Sequence, residues 1–229
     1  LGDQSREPEH AAFLSWLLQT IIDQHVDILL VAGDIFDSAN PPHTATSMLY
    51  RFLSDLHQQT ACEVVLVAGN HDSPRQLESV APLLATHRVH VIGLADDSSR
   101  LDGCIFAIGP RQELIVAAVP YLRDRDVRVG RPGETADEIQ RAIIDGIRNV
   151  YVTAADCAAL RHNSRTTMIA TGHLTTLGGS MCEERSIHVG GLGSFPSSAF
   201  DSRFAYVALG HLHRPQHADS EMRVCYSGS

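Results

Sequence analysis

The chain has 229 residues, 44% hydrophobic and 20% charged, which is enough apolar material for one large core with an ordinary load of surface charge. Its net charge of −9 excludes coating of nucleic acid by bulk electrostatics, so action on DNA or RNA would need metals, a local patch or a partner. No apolar run approaches the roughly 20 residues that span a bilayer, and the five scattered cysteines, without a CxxC, fit idle thiols in a reducing cytoplasm.

Residues 8–24 place Phe13, Leu14, Leu17, Leu18, Ile21 and Ile22 at helical spacing, with Trp16 read as a packing residue. Asp27–Ala32 follows as a short apolar strand of the kind buried on both faces. After the SANPP loop, residues 44–59 predict a helix with Met48, Leu49, Phe52, Leu53 and Leu56 inward, and Glu63–Ala68 the next strand. Strand, helix and strand joined by short connections form a βαβ unit and imply a parallel pair. A further helix starts at Ser73, read as its cap, with Pro74 in the first turn and Gln76 in the capping-box position. Strands follow near 89–93, 104–108 and 114–119, then a helix over 135–152 opened by Thr135 and Glu138. The last two strands, 167–171 and 204–209, flank a glycine- and serine-rich loop, 177–198, whose length suggests function.

One pattern recurs four times. LLVAGD, VLVAGNHD, MIATGH and YVALGHLH each run an apolar strand into a glycine and then a side chain able to bind a metal. In parallel strands the carboxyl ends share one edge of the sheet, where open α/β folds build their sites, so Asp34 and Asn70 should sit close together. The collected set is Asp34, Asn70, His173, His211 and His213. Such a mixed oxygen and nitrogen set suits Mn²⁺, Fe²⁺ or Zn²⁺ better than Mg²⁺ or Ca²⁺. A carboxylate can bridge two ions, as in two-metal phosphoryl hydrolases. His211 and His213 alternate, so in an extended segment both would project to one side. His71, adjacent to Asn70, is better placed to protonate a leaving oxygen than to share its ion. Asp37 could hold that imidazole in its tautomer; the alternative makes it a turn or helix cap. In YLRDRDVRVGR, Arg123, Arg125, Arg128 and Arg131 are the best local candidates for phosphate contact, and a solvated loop diluted by Asp124 and Asp126 is the other reading. The absence of lysine reflects genome composition more than function.

GDIFD (33–37), GNHD (69–72), GH (172–173) and GHLH (210–213) resemble, in order and spacing, the calcineurin-like metallophosphoesterase superfamily. The longer stretches VAGDIFDSANPP, VAGNHDSP, IATGHLTT and YVALGHLHRPQ are similar to its bacterial nuclease subunits. The resemblance implies an α/β fold, a layered β-sandwich flanked by helices. It implies that Asp34 bridges two metals, that Asn70, His173 and His211 complete one site, and that His213 serves the other. It makes His71 the catalytic histidine and gives Asp37 the position of its partner. It further implies two divalent ions, most readily Mn²⁺, and phosphodiester hydrolysis at double-stranded DNA ends or hairpins in recombination, replication and repair. A homodimer and an ATPase partner subunit that supplies much of the DNA grip complete the expectation. In the family an Asp-x-His motif on a first, central strand precedes a Leu-Gly like Leu1-Gly2, and a capping region follows a motif like Gly228-Ser229. We therefore expect residues 1–229 to be a nuclease domain cut at both ends, completing one metal site and half of the other.

Two rivals stand beside this reading. A phosphomonoesterase or small-molecule phosphodiesterase of the same superfamily would use the same metals and His71. A non-catalytic scaffold on the same fold would have lost some of the ligands, and all those expected in this span are present.

Overall fold

The computed structural model describes residues 5–95, 101–109, 111–177 and 195–228. Helix α1 (Glu7–Asp23) leads into strand β1 (Ile28–Ala32), helix α2 (His43–Gln59), strand β2 (Glu63–Val67), helix α3 (Pro74–Ala85) and strand β3 (Val89–Ile92). These strands form a three-stranded sheet, β1-β2-β3, parallel throughout, with Ala32 opposite Val67 at the end of the first pair. The period-2 alternation of β1 sorts its side chains. Leu29 and Val31 pack under α1 and α2 with Ile21, Phe52, Leu53 and Leu56, while Ile28 and Leu30 face the opposite layer.

That layer is a second sheet. It is built from β4 (Ile105–Ile108), β5 (Leu114–Ala118), β6 (Thr167–His173), β9 (Tyr206–Gly210), β10 (Gln216–His217) and β11 (Val224–Tyr226), in the order β10-β11-β9-β6-β5-β4. Its four inner strands run parallel, and β4 and β10 run antiparallel at its edges. Val65 and Val67 of β2 meet Val116, Ala118 and Ile169 across the interface between sheets. The short helix α4 (Asp124–Val127) precedes the long helix α5 (Ala136–Ala159), which covers the outer face with Ile143, Ile147, Tyr151, Ala154, Ala155 and Ala158. Strands β7 (Thr176–Leu177) and β8 (Phe195–Pro196) pair beside it. The result is a sandwich of two sheets between helical layers. No helix among the described residues is long and apolar enough to cross a membrane.

Three local expectations change. Strand β1 is half-buried at every position instead of fully buried, because among the described residues it pairs on one side only. Ser73 occupies the cap position of α3, but its hydroxyl makes no capping bond; Pro74 already removes one orphan donor there. The helix opened by the Thr135–Glu138 capping box runs to Ala159, since small alanines continue its buried face past Val150. Residues 178–194, most of the long glycine- and serine-rich loop, lie outside the described residues.

Candidate metal centre

Strands β1, β2, β6 and β9 all end at one edge, where the two sheets meet, and each delivers one side chain there. Oxygen or nitrogen atoms of Asp34, His173 and His211 lie within 4.8 Å of one another. Asn70 Oδ1 completes the group, 2.9 Å from His173 Nε2 and 3.0 Å from His211 Nδ1. Asp34 Oδ2 stands 3.3 Å from His173 Nε2, and the two imidazole nitrogens are 3.2 Å apart. The glycines of the recurring pattern permit this closeness. A Cβ at Gly33 would strike the His173 ring, one at Gly69 would strike the Asp34 amide and carboxylate, and one at Gly210 the Ala32 carbonyl. Asp34 and His211 themselves hold positive φ, 48° and 95°, conformations costly to non-glycine residues and common at functional sites.

The donor chemistry fits a cation. His173 Nδ1–H donates to the Ala32 carbonyl at 2.8 Å, so Nε2 carries a lone pair. That lone pair faces Asn70 Oδ1 and Asp34 Oδ2, which can only accept. Burial first, and then the neighbouring His173, pushes His211 down to about 4 against the opposing pull of Asp34, so its imidazole is neutral at pH 7. A single proton on His211 Nδ1 satisfies at most one of the remaining contacts. Among the described residues the acceptors that converge here outnumber the donors that answer them, which is the arrangement a metal ion resolves. Burial pushes the Asp34 carboxyl up, but the neighbouring His173 and the His71 main-chain N–H outweigh it and hold it below its ordinary value. The carboxylate is therefore ionised.

His213 is not drawn into this cluster. It is exposed, three residues beyond the end of β9, and the positive φ of His211 breaks the extended geometry that would have aligned the two side chains. His71 is exposed at the rim; its main-chain N–H donates to Asp34 Oδ1 at 2.9 Å. Its Nδ1–H donates to Asp37 at 2.9 Å, but to the main-chain carbonyl and not to the carboxylate. Residue identity at 37 thus matters less to this bond than the course of the loop.

Two residues escaped sequence reasoning. Asp72, only 5% exposed, accepts three main-chain N–H bonds, from Gly69, Ile35 and Phe36. Burial raises its carboxyl above the ordinary value against those bonds, and Asp34 adds to the rise. The signal was its place in GNHD, four positions that are all polar or glycine directly after a buried strand. Tyr121 sets its ring edge-on to His173 at 6.1 Å, and its main-chain N–H donates to Ala68 at 2.8 Å. Nothing in its sequence neighbourhood marks it.

The arginine segment is largely self-satisfied. Arg123 makes a bidentate pair with Asp126 at 2.7 and 3.0 Å, and Arg128 binds Asp124 and Glu134. Arg125 and Arg131 are the exposed members; Arg125 stands 3.9 Å from Asp126 with three-quarters of its side chain in solvent, and the Arg131 main-chain N–H donates to Glu134 at 2.8 Å. The segment docks tightly on α5, where a Cβ at Gly146 would strike the Val127 carbonyl.

A model of the calcineurin-like phosphoesterase family matches residues 6–215. The chain belongs to this family. Members use divalent metals, and the centre described here offers a site for one. The chain is 38% identical over 232 residues to the D component of the nuclease SbcCD of Escherichia coli K12, covering 99% of this chain and 56% of that one. The protein of the same name from Rhodobacter capsulatus is 37% identical over 239 residues, and that from Bacillus subtilis 32% identical over 233. Each of these two is matched over 58% of its own length by the whole of this chain. The chain thus spans little more than half the length of these relatives.

Proposed function

We propose that residues 1–229 are the nuclease domain of an SbcD-type protein that hydrolyses DNA phosphodiesters with divalent metals, acting in recombination, replication and repair. The observation that carries this reading is the convergence of Asp34, Asn70, His173 and His211 from four strand ends, with His71 at the rim, in a chain similar throughout to proteins named as nucleases. Two ions fit the family pattern, most readily Mn²⁺ given the mixed donor set. Asn70, His173 and His211 would hold one, His213 would belong to the other, and Asp34 would bridge them. Bound divalent ions supply Lewis acidity at phosphate oxygens and ionise water near neutral pH.

The chain's own residues do the rest. Asp37's carbonyl fixes the proton on His71 Nδ1, so His71 presents Nε2 outward, where its imidazolium form hands a proton to the departing oxygen. Exposure of His71 leaves room for a polymeric substrate. Arg125, with Arg123 beside it, would meet the DNA backbone; since an acidic protein repels DNA, an SbcC-type ATPase partner would supply most of the grip. A homodimer in the cytoplasm completes the proposal, and Cys62, Cys157 and Cys225, which form no disulfide among the described residues, support a reducing compartment.

The test is an assay of the full-length protein with Mn²⁺ on end-labelled duplex DNA and on a phosphomonoester, beside His71→Ala. DNA cleavage that falls sharply in the variant, with little monoester turnover, is the expected result. Monoester turnover without DNA cleavage refutes the nuclease reading and makes the protein a phosphatase of the same fold.

A further inference from the structure

Two loops build the centre. Residues 33–37 supply Asp34 and the carbonyl of Asp37, and residues 69–72 supply Asn70 and His71. The chain between them passes through α2, so their mutual placement depends on non-covalent cross-links. The cross-links run both ways. Asp34 Oδ1 accepts the His71 N–H from the second loop at 2.9 Å. In return, Asp72 sends its carboxylate into the first loop, where Oδ2 accepts from Ile35 at 3.1 Å and Oδ1 from Phe36 at 3.0 Å. Oδ2 also accepts from Gly69 at 2.8 Å, which ties the carboxylate to its own loop.

The amides of Ile35 and Phe36 are consecutive and face one anion. They do so after two successive left-handed residues, Gly33 at φ 88° and Asp34 at φ 48°. Such turns form concave nests of N–H groups that take an anion. A left-handed aspartate is disfavoured on its own and persists where its surroundings hold it. Asp72 is the buried anion in the nest.

Resting on the metal-centre reading above, we propose that Asp72 is a positioning residue: its carboxylate locks the left-handed turn at Asp34 and thereby sets Asp34 against Asn70 for metal binding and the Asp37 carbonyl against His71. It touches neither metal nor substrate. Its effect travels through the two loops it joins.

The experiment compares the full-length parent, Asp72→Asn, and Ile147→Val, a buried change on α5 remote from the centre. In Asp72→Asn one oxygen becomes an NH₂ group, so whichever way the amide turns, at least one of the three N–H donors loses its acceptor. Mn²⁺ uptake is followed by electron paramagnetic resonance, Co²⁺ binding by visible absorption, and turnover by kcat and KM on duplex DNA. The expected result for Asp72→Asn is Mn²⁺ binding weakened about 10-fold or more, altered Co²⁺ bands, and reduced kcat with KM for DNA unchanged. Ile147→Val lowers the melting temperature and leaves metal binding intact. Parent-like Mn²⁺ affinity and Co²⁺ bands in Asp72→Asn overturn the role, and so do equal metal losses in both variants. If Asp72→Asn does not fold, amide exchange of the metal-free parent decides. Slow exchange at Ile35 and Phe36 supports the nest, and rates of an open turn overturn it. A parent that takes up no Mn²⁺ sinks this role and the proposed function together. A parent that binds Mn²⁺ and shows the Asp72 effect on uptake, but cleaves no DNA, sinks the nuclease reading alone.

Discussion

Tyr151 is fully buried in α5, yet its hydroxyl has no hydrogen-bond partner among the described residues, and burial drives its phenol far above the ordinary range. The same hydroxyl presses on Gly172, the residue before His173, where a Cβ would collide with it. An unsatisfied buried hydroxyl costs about 1–3 kcal/mol, so Tyr151→Phe should stabilise the protein by an amount of that order. For a chain of this size each kcal/mol moves the Tm by roughly 2–4 °C. Gly172→Ala alone should cost about 1–3 kcal/mol through overpacking, push β6 away from α5 and disturb His173. In the Tyr151→Phe background the overlap with the hydroxyl disappears, and the nearest remaining atoms, Leu174 Cδ2 and the Tyr151 ring carbon, stand at 3.3 Å. Most of the penalty should then vanish, giving a non-additivity of about 1 kcal/mol or more in a double-mutant cycle. Urea unfolding of the parent, both single variants and the double variant measures it. A loss of more than about 1 kcal/mol in Tyr151→Phe would show that the hydroxyl holds a bond after all. A cycle additive within about 0.3 kcal/mol would refute the contact itself.

Gly69→Ala would drive a methyl group into the Asp34 amide and carboxylate. A thermal melt should show the parent gaining roughly 5–10 °C with Mn²⁺ at 100 times its Kd, and the variant gaining almost nothing; an equal gain would contradict the geometry. Tyr226, buried and donating to the Leu174 carbonyl at 2.8 Å, has its phenol pushed up to about 12, burial outweighing the bonds from Thr176. The unfolded phenol ionises near 10 and the folded one near 12, so this stabilising effect is complete below pH 10 and lost as pH rises to 12. The loss is about 2–3 kcal/mol, and Tyr226→Phe should flatten that alkaline slope in denaturant titrations. Cys62 is buried, and burial carries its thiol up to about 11. Iodoacetamide at pH 8 should therefore leave it unmodified in the folded protein and alkylate it on unfolding; rapid alkylation of the native state would contradict its placement.

The legible part of this fold was written in short-range patterns. Apolar strands ending in Gly-Asp, Gly-Asn and Gly-His marked four strand ends, and parallel pairing placed Asp34 and Asn70 on one edge. The division into two facing sheets was not visible in the residues themselves, because the alternation of β1 between two cores looks, along the chain, like one continuous apolar run. The pairing of His71 with residue 37 was legible as an adjacency of loops, but its means was not, since a carbonyl acceptor leaves no side-chain signature. Asp72 was seen in its motif and left without a role for the same reason: its partners are three main-chain amides. The arginine segment read as a cationic patch because spacing shows charge without showing pairing, and Asp124, Asp126 and Glu134 spend Arg123 and Arg128 on the protein itself.

The central claim is that Asp34, Asn70, His173 and His211 together hold a divalent metal. The direct measurement is anomalous diffraction at the manganese edge from crystals of the full-length protein grown with Mn²⁺. The account predicts a peak enclosed by Asp34 and His173 carboxylate and ring atoms, Asn70 Oδ1 and His211 Nδ1, with Asp72 outside coordination distance. A peak elsewhere, or none at saturating Mn²⁺, would contradict it.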